Sequence, residues 1–257
     1  MAHKYLYNFS DTTSRDLVYR DPSKYEEPWV SATGPDENII VNYNKPYVFG
    51  GFEISPGPLY YDGTSFGIKD HWNYDSFGSV YGKAENSSYF TFSQCASEQV
   101  DGWRVPTAEE WTKIVSGSRS GSTVNNTAAS KYALVQIVGV THAGESTING
   151  LLLFPDGKII TGKSLLGINN TTQTIGMNES ELNNYLRQGC VFFPASGWWS
   201  GYLNDWVRAG EDGIYWSKTN INSAQASALD FSSNYVYTNS GGSYQTKAYY
   251  HNARLIR

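Results

Sequence analysis

The stretch GKIITGKS, Gly157 to Ser164, fits the phosphate-loop pattern G-x-x-x-x-G-K-[ST] completely. In that motif backbone amides at the N-terminus of a helix cradle the phosphates, so the loop must follow a strand and open a helix. Here the first glycine finishes a Pro155-Asp156-Gly157 turn, Ile159 and Ile160 are β-branched strand formers, and LLGINNTT stands where a helix should begin. The residues favour a hairpin, NGLLLFPDGKIITG, turning at Pro-Asp-Gly. The histidines (His3, His71, His142, His251) lack HExxH or paired-ligand spacing, and each reads as a surface or packing residue. Glu109 and Glu110 resemble a carboxylate pair, but adjacent helical residues diverge, and Glu110 has a capping role available. Cys95 and Cys190 lack zinc-type spacing and read as buried small hydrophobes, with a single bridge as the alternative. Carboxylates distant in sequence could still pair as in glycosidases, which spacing does not reveal. No metal or cofactor is expected.

Recognition chemistry is better represented. GWWSGYLNDW, Gly197 to Trp206, holds three of the eight tryptophans, without strand alternation or a helical stripe. Aromatics are 15% of the 257 residues, led by 20 tyrosines, and Gly, Asn, Ser and Thr are plentiful. Rigid amphipathic rings among adaptable polar groups suit a binding surface; the same palette suits a loop-rich β protein. A net charge of −5 supplies no basic field for nucleic acid. The first residues lack the apolar core of a signal peptide, and no apolar run approaches membrane-spanning length, so membrane insertion is not expected. N-x-S/T sequons at Asn8, Asn86, Asn125, Asn169, Asn170 and Asn178 carry no information if the source is bacterial.

The elements that must position these residues are few helices and many short strands. In GWRVPTAEEWTKIVSG, Thr107 can cap and Glu110 can return the bond, which predicts a helix over Ala108 to Val115. In NESELNNYLRQG, Asn178 or Ser180 can cap and Gly189 can stop a helix over Glu179 to Arg187. ALVQIVGV reads as a buried strand; CVFFPASG, GIYWSKT, ASALDFS, YVYT and AYYHNARLIR read as short ones. Ser116 to Ser130, rich in Gly, Ser and Asn, reads as a mobile surface loop. The first 48 residues offer two strands, with a soft boundary near Pro46. The expected fold class is α+β, two helices packed on small antiparallel sheets.

The order FEISPGPLYY, WNYDSFG, GWRVPTAEEW, GLLLFPDG, GCVFFPASG, GIYWSKT, ALDFSS, ARLIR resembles the C-type-lectin-like domains of gut bacteria and their phages, within the formylglycine-generating-enzyme group. The resemblance runs from about Phe49 to Arg257 and leaves residues 1–48 as an extension. The last sixty residues look most like the variable proteins of diversity-generating retroelements, where an A-x-x-L-x-F-x-S scaffold alternates with randomised positions. Ala226, Leu229, Phe231 and Ser233 match that scaffold, with Ser227, Ala228, Asp230 and Ser232 between them. Trp198, Trp199, Ser200, Tyr202, Asn204 and Asp205 stand where such proteins vary after PASG; Ala224 and Gln225 precede the strand; Lys247, Ala248 and Tyr249 precede ARLIR.

The resemblance implies a ligand-binding surface at those positions, facing a protein or glycan on a cell surface, in a protein of a cell surface or phage virion. Non-diversified adhesins or fimbrial-tip modules are the nearest alternative, and glycan-active enzymes a more distant one. The cysteine pair of the enzyme branch is missing, since nothing follows Cys190. EEPW and LNDW only echo the calcium-coordinating triplets of animal lectins. Alternation in ASALDFS predicts Leu229 and Phe231 inside, with Ser227, Asp230 and Ser232 turned outward. At least one of Trp198 and Trp199 is expected at the surface; Trp206 is as readily a core residue.

Overall fold

The computed structural model describes residues 47–61, 66–68, 92–97, 99–142, 145–165, 168–169, 174–200, 205–240 and 246–257, and three short strands before them. Those three are β1 (Tyr5–Asn8), β2 (Val18–Tyr19) and β3 (Asn38–Ile40), which pair in the order β2-β1-β3. Next come β4 (Ile54–Tyr61), β5 (Phe66–Ile68), a single helical turn at Phe92–Cys95, β6 (Gln99–Val100), β7 (Trp103–Arg104) and α1 (Ala108–Val115). The middle of the chain contributes β8 (Ser122–Val124), β9 (Thr127–Ser130), β10 (Tyr132–His142), β11 (Glu145–Leu153), β12 (Ile159–Ile160), β13 (Thr174–Met177) and α2 (Glu179–Arg187). It ends in β14 (Val191–Pro194), β15 (Trp198–Ser200), β16 (Asp205–Val207), β17 (Gly213–Asn220), β18 (Ala226–Phe231), β19 (Val236–Ser240) and β20 (Arg254–Ile256). The fold is mixed α and β, mostly strands in several small sheets, with two helices of more than one turn among the described residues.

Both helices form where their capping signals lie. Thr107 Oγ1 accepts from the Glu110 N–H and the Glu110 carboxylate accepts from the Thr107 N–H; Asn178 and Glu181 do the same for α2. α1 buries Ala108, Trp111, Ile114 and Val115. Arg104 also holds Glu110 through two bonds of 2.8 and 2.6 Å, and this guanidinium above all lowers the Glu110 carboxyl to about 2. A depressed folded-state pKa gives stability that is present above the usual carboxylate range and lost as pH falls toward 2. Glu110→Gln is therefore expected to cost about 1–2 kcal/mol at pH 7, discounted for the partial exposure of the pair. Urea melts should show that difference vanishing as pH approaches 2.

The hairpin expected across Gly157 is not formed. β11 pairs with β10 on one side and β14 on the other, while β12 leaves the Pro155–Gly157 turn to run parallel to β8. The turn itself is present, with Gly157 at φ +67. No helix follows at 161–165, so the amide cradle of a phosphate loop is missing. Lys163 bridges to Glu181 of α2 at 3.1 Å, and its carbonyl accepts from the Tyr185 hydroxyl.

Ser116 to Ser130 is also not the free loop its composition predicts. It carries β8 and β9 and buries Ser122, Val124 and Ser130. Arg119, itself buried, organises it. The guanidinium donates to the carbonyls of Ile114 (2.5 Å), Phe154 (2.8 Å) and Lys131 (2.7 Å) and to Asp156 Oδ1 (2.6 Å). Asp156 in turn accepts from the Gly121 and Gly50 amides.

Three apolar clusters share the interior. One joins β10 and β11 to α2 and includes Cys190; a second joins α1 to β14, β17 and β18; a third gathers Leu59, Phe92, Cys95, Trp198, Trp216 and Leu255. Both cysteines are free and buried, so the single-bridge alternative is not realised. Burial pushes the Cys190 thiol up, which disfavours the reactive thiolate. β20 lies at the centre of the order β5-β4-β20-β7-β6, with Ile256 in the second cluster and Ala253 and Leu255 in the third.

Candidate functional site

β17, β18 and β19 form one antiparallel sheet, and both of its faces are covered. Tyr215, Leu229 and Phe231 pack into the cluster with α1, while Ile214, Trp216, Ala226 and Ala228 pack into the cluster with Trp198 and Phe92. Leu229 and Phe231 are inside, as alternation predicts. The outward half of that expectation is corrected: Ser227, Ala228 and Ser232 are buried, and Asp230 is 6% exposed. Covering the second face removes the solvent side that alternation presumes. Ser227 donates to Asn239 Oδ1 (2.8 Å), and Ser232 to Asn234 Oδ1 (2.8 Å).

The tryptophan-rich segment folds as β15 and β16, paired Trp198 to Val207 and Ser200 to Asp205. Trp198, nominated as a surface anchor, is 4% exposed in the third cluster, and Ser200 is buried. An indole that can find a complete apolar socket gains more there than in water. Trp199, Asp205 and Trp206 are placed by their strands, Trp199 opposite Trp206; the surroundings of their side chains, and Tyr202 and Asn204 altogether, lie outside the described residues.

Five nominated residues do come together at the surface. The turn at 221–225 and the segment 246–250 meet through a Gln225–Thr246 bridge, and the Lys247 amide donates to the Ala224 carbonyl at 2.8 Å. Lys247 Nζ donates to the carbonyls of Asn222 (2.8 Å) and Ser223 (3.3 Å) and lies 5.2 Å from the Phe92 ring centre. Its charge is thus spent on fixing the two turns. Ala224 and Ala248 are exposed, Gln225, Lys247 and Tyr249 half-buried, and Ile221 adds an apolar side chain 44% exposed. Tyr249 also stacks edge-on with buried His251, which packs on Trp216.

Asp230 and Ser232 stand at the other end of β18, roughly 20 Å from Gln225 at strand rise. There Tyr235 and Tyr237 stack at 5.1 Å, with Tyr237 57% exposed, and the Tyr235 hydroxyl donates to Asp230 Oδ1 at 3.2 Å. Burial, reinforced by Asp230 and Asp212, pushes the Tyr235 phenol up. The resemblance nominates neither tyrosine; Tyr235 immediately precedes β19 and Tyr237 lies within it, and reading YVYT as a strand would place their two phenols on one side.

Asp212 is 4% exposed and close enough to Tyr235 to act on its phenol. Arg208 Nε approaches its Oδ2 at 2.6 Å and Nη2 its Oδ1 at 3.0 Å. Burial raises the Asp212 carboxyl to about 6, and the Asp230 and Glu211 carboxylates add to that against the pull of Arg208. Among the described residues no three His, Cys, Asp or Glu side chains gather to hold a metal ion, and no helix is long and apolar enough to cross a membrane.

The nominated positions thus divide into an exposed two-turn surface, a buried strand, and a tyrosine-flanked carboxylate at its far end. The chemistry available on the outside is that of contact: phenol rings, amides, hydroxyls and small apolar groups on fixed backbone. Comparison of the chain with protein-family models, with curated proteins and with solved structures gives no match.

Proposed function

We propose that this is a ligand-binding protein of the receptor-binding or adhesin kind, built on a C-type-lectin-like scaffold and related to the variable proteins of diversity-generating retroelements. Its ligand is a macromolecule on a cell surface. The observation that carries this reading is the partition of the last forty residues. The scaffold-like Ala253-Arg254-Leu255-Ile256 is buried at the centre of a sheet, while Ala224, Gln225, Lys247, Ala248 and Tyr249 converge on an outer surface from two tied turns. A surface meant to vary needs that separation, because exposed substitutions cost within about 0.5 kcal/mol whereas overpacking a core costs about 1–3 kcal/mol.

Sequencing of the surrounding DNA tests the class. A near-copy of the last coding segment differing at adenines, beside a reverse transcriptase, is the expected finding; its absence favours a non-diversified adhesin. Tolerance tests the surface. Tyrosine at Ala224 or Ala248 should leave the melting temperature within about 2 °C of the parent, while tyrosine at Ala228 should lower it by roughly 5 °C or more. Equal tolerance at all three positions would remove the support.

A further inference from the structure

The outer surface at 221–225 and 246–250 is fixed by its own side chains. Within the β17–β18 turn, Asn222 Oδ1 accepts from the Ala224 and Gln225 amides, both at 2.8 Å, and Asn222 Nδ2 donates to Gln225 Oε1 at 2.9 Å. The Gln225 carbonyl accepts from the Ile221 and Asn222 amides at 3.0 and 3.2 Å. A turn closed on an asparagine side chain in this way sets its own backbone without reference to the rest of the chain. What sets it against the second turn lies in residues 246 and 247.

Thr246 Oγ1 donates to the Ala224 carbonyl at 3.3 Å, and the same carbonyl takes the Lys247 amide at 2.8 Å. The Lys247 ammonium then reaches the Asn222 and Ser223 carbonyls, the two residues directly before Ala224, at 2.8 and 3.3 Å, with the Phe92 ring beside it. An ammonium has three donors and bonds a carbonyl more strongly than a neutral amide does. This one side chain therefore holds a turn that the backbone ladder joins at a single bridge, Gln225 with Thr246.

Position 247 is one at which the resemblance implies ligand contact. The structure assigns Lys247 a different part: it is a positioning residue for the ligand surface, setting Ala224 and Gln225 on one turn against Ala248 and Tyr249 on the other. A side chain without N–H donors at 247 changes the shape that the exposed Ala224 and Ala248 present together, without itself meeting the ligand. This role rests on the reading of the two turns as the ligand surface. Its test needs no ligand, so its failure is distinct from failure of that surface, which tyrosine at Ala224 and Ala248 tests.

Backbone nitrogen-15 relaxation of the full chain, which reads the native state alone, tests the assignment. In the parent the amides of Ala224, Gln225 and Lys247 should be as ordered as those of α1, with order parameters of about 0.85. Lys247→Met keeps most of the stem and removes the donors; it should lower all three below about 0.7 and leave α1 unchanged. Lys247→Arg keeps the charge and the N–H donors and should restore them, which a role in packing alone does not require. Any of three results overturns the proposal: order unchanged in Lys247→Met, arginine no better than methionine, or parent turns already below about 0.7. If Lys247→Met does not fold, carbon-13 relaxation at Lys247 Cε in the parent decides: a rigid terminus supports the assignment, and one as mobile as a free lysine side chain refutes it.

Discussion

Arg119→Ala is expected to lower stability by about 3–5 kcal/mol, a large part of the roughly 5–15 kcal/mol that holds an ordinary domain folded. The loss is not that of one ion pair. Truncation removes the counter-charge of the Asp156 carboxylate, leaving it the Gly50 and Gly121 amides, and releases the carbonyls of Ile114, Phe154 and Lys131, which lie on the α1 end, the β11 end and the β9–β10 connection. Lysine will not restore the site, because a single ammonium cannot serve four acceptors in a planar fan. Equilibrium urea unfolding followed by tryptophan fluorescence gives the number; a loss below about 1 kcal/mol would mean that water replaces the guanidinium.

The same residue explains what sequence reading reached and what it did not. Both helices are legible in the sequence because each carries a capping signal at its start, Thr107 with Glu110 for α1 and Asn178 or Ser180 for α2, where the fold uses Asn178 with Glu181 returning the bond. Those interactions are local, so local sequence encodes them. Residues 116–130 read as a loop because Gly, Ser and Asn dominate them, while the groups that order them, Asp156 and the Phe154 carbonyl, lie more than thirty positions away. β18 failed in the same manner. Its inner face was legible, but its second face is covered by Trp198, Phe92 and Leu59, brought there by tertiary structure alone. At the candidate site the resemblance nominates Ala224 and Lys247, and the fold brings the two turns that carry them together. For Tyr235 and Tyr237 the spacing in YVYT suggests one common side, while their stack is a product of the fold, in which Tyr235 stands just before β19.

Trp216→Ala is expected to cost about 3–5 kcal/mol through the cavity it leaves. The indole is fully buried, with Phe92 at 5.3 Å and His251 at 4.3 Å between ring centres, in a cluster that also holds Trp198. Trp216→Phe should behave very differently. The Trp216 Nε1 donor is buried without a hydrogen-bond partner among the described residues, so phenylalanine removes an unsatisfied polar group along with some volume. A loss near 1 kcal/mol is expected, the two effects opposing each other. Trp111 provides the contrast, because its indole N–H donates to the Trp216 carbonyl at 3.4 Å. Thermal unfolding of the two variants should separate them by roughly 5 °C or more; equal losses would mean that the Trp216 N–H finds a partner in solution.

β20 takes its place between β4 and β7, with Arg254 opposite Pro58, Ile256 opposite Ile54, and the Arg254 Nε donating to the Ser55 carbonyl. That bond links residues 199 positions apart. During synthesis at about 5–20 residues per second, β4 therefore waits on the order of 10–40 s outside the ribosome before the strand that completes its sheet has been made. Throughout that interval its apolar face and open edge are available to other chains. β20 thus governs when the first part of the sheet becomes safe from aggregation, and a ribosome stalled shortly before β20 would leave an aggregation-prone intermediate.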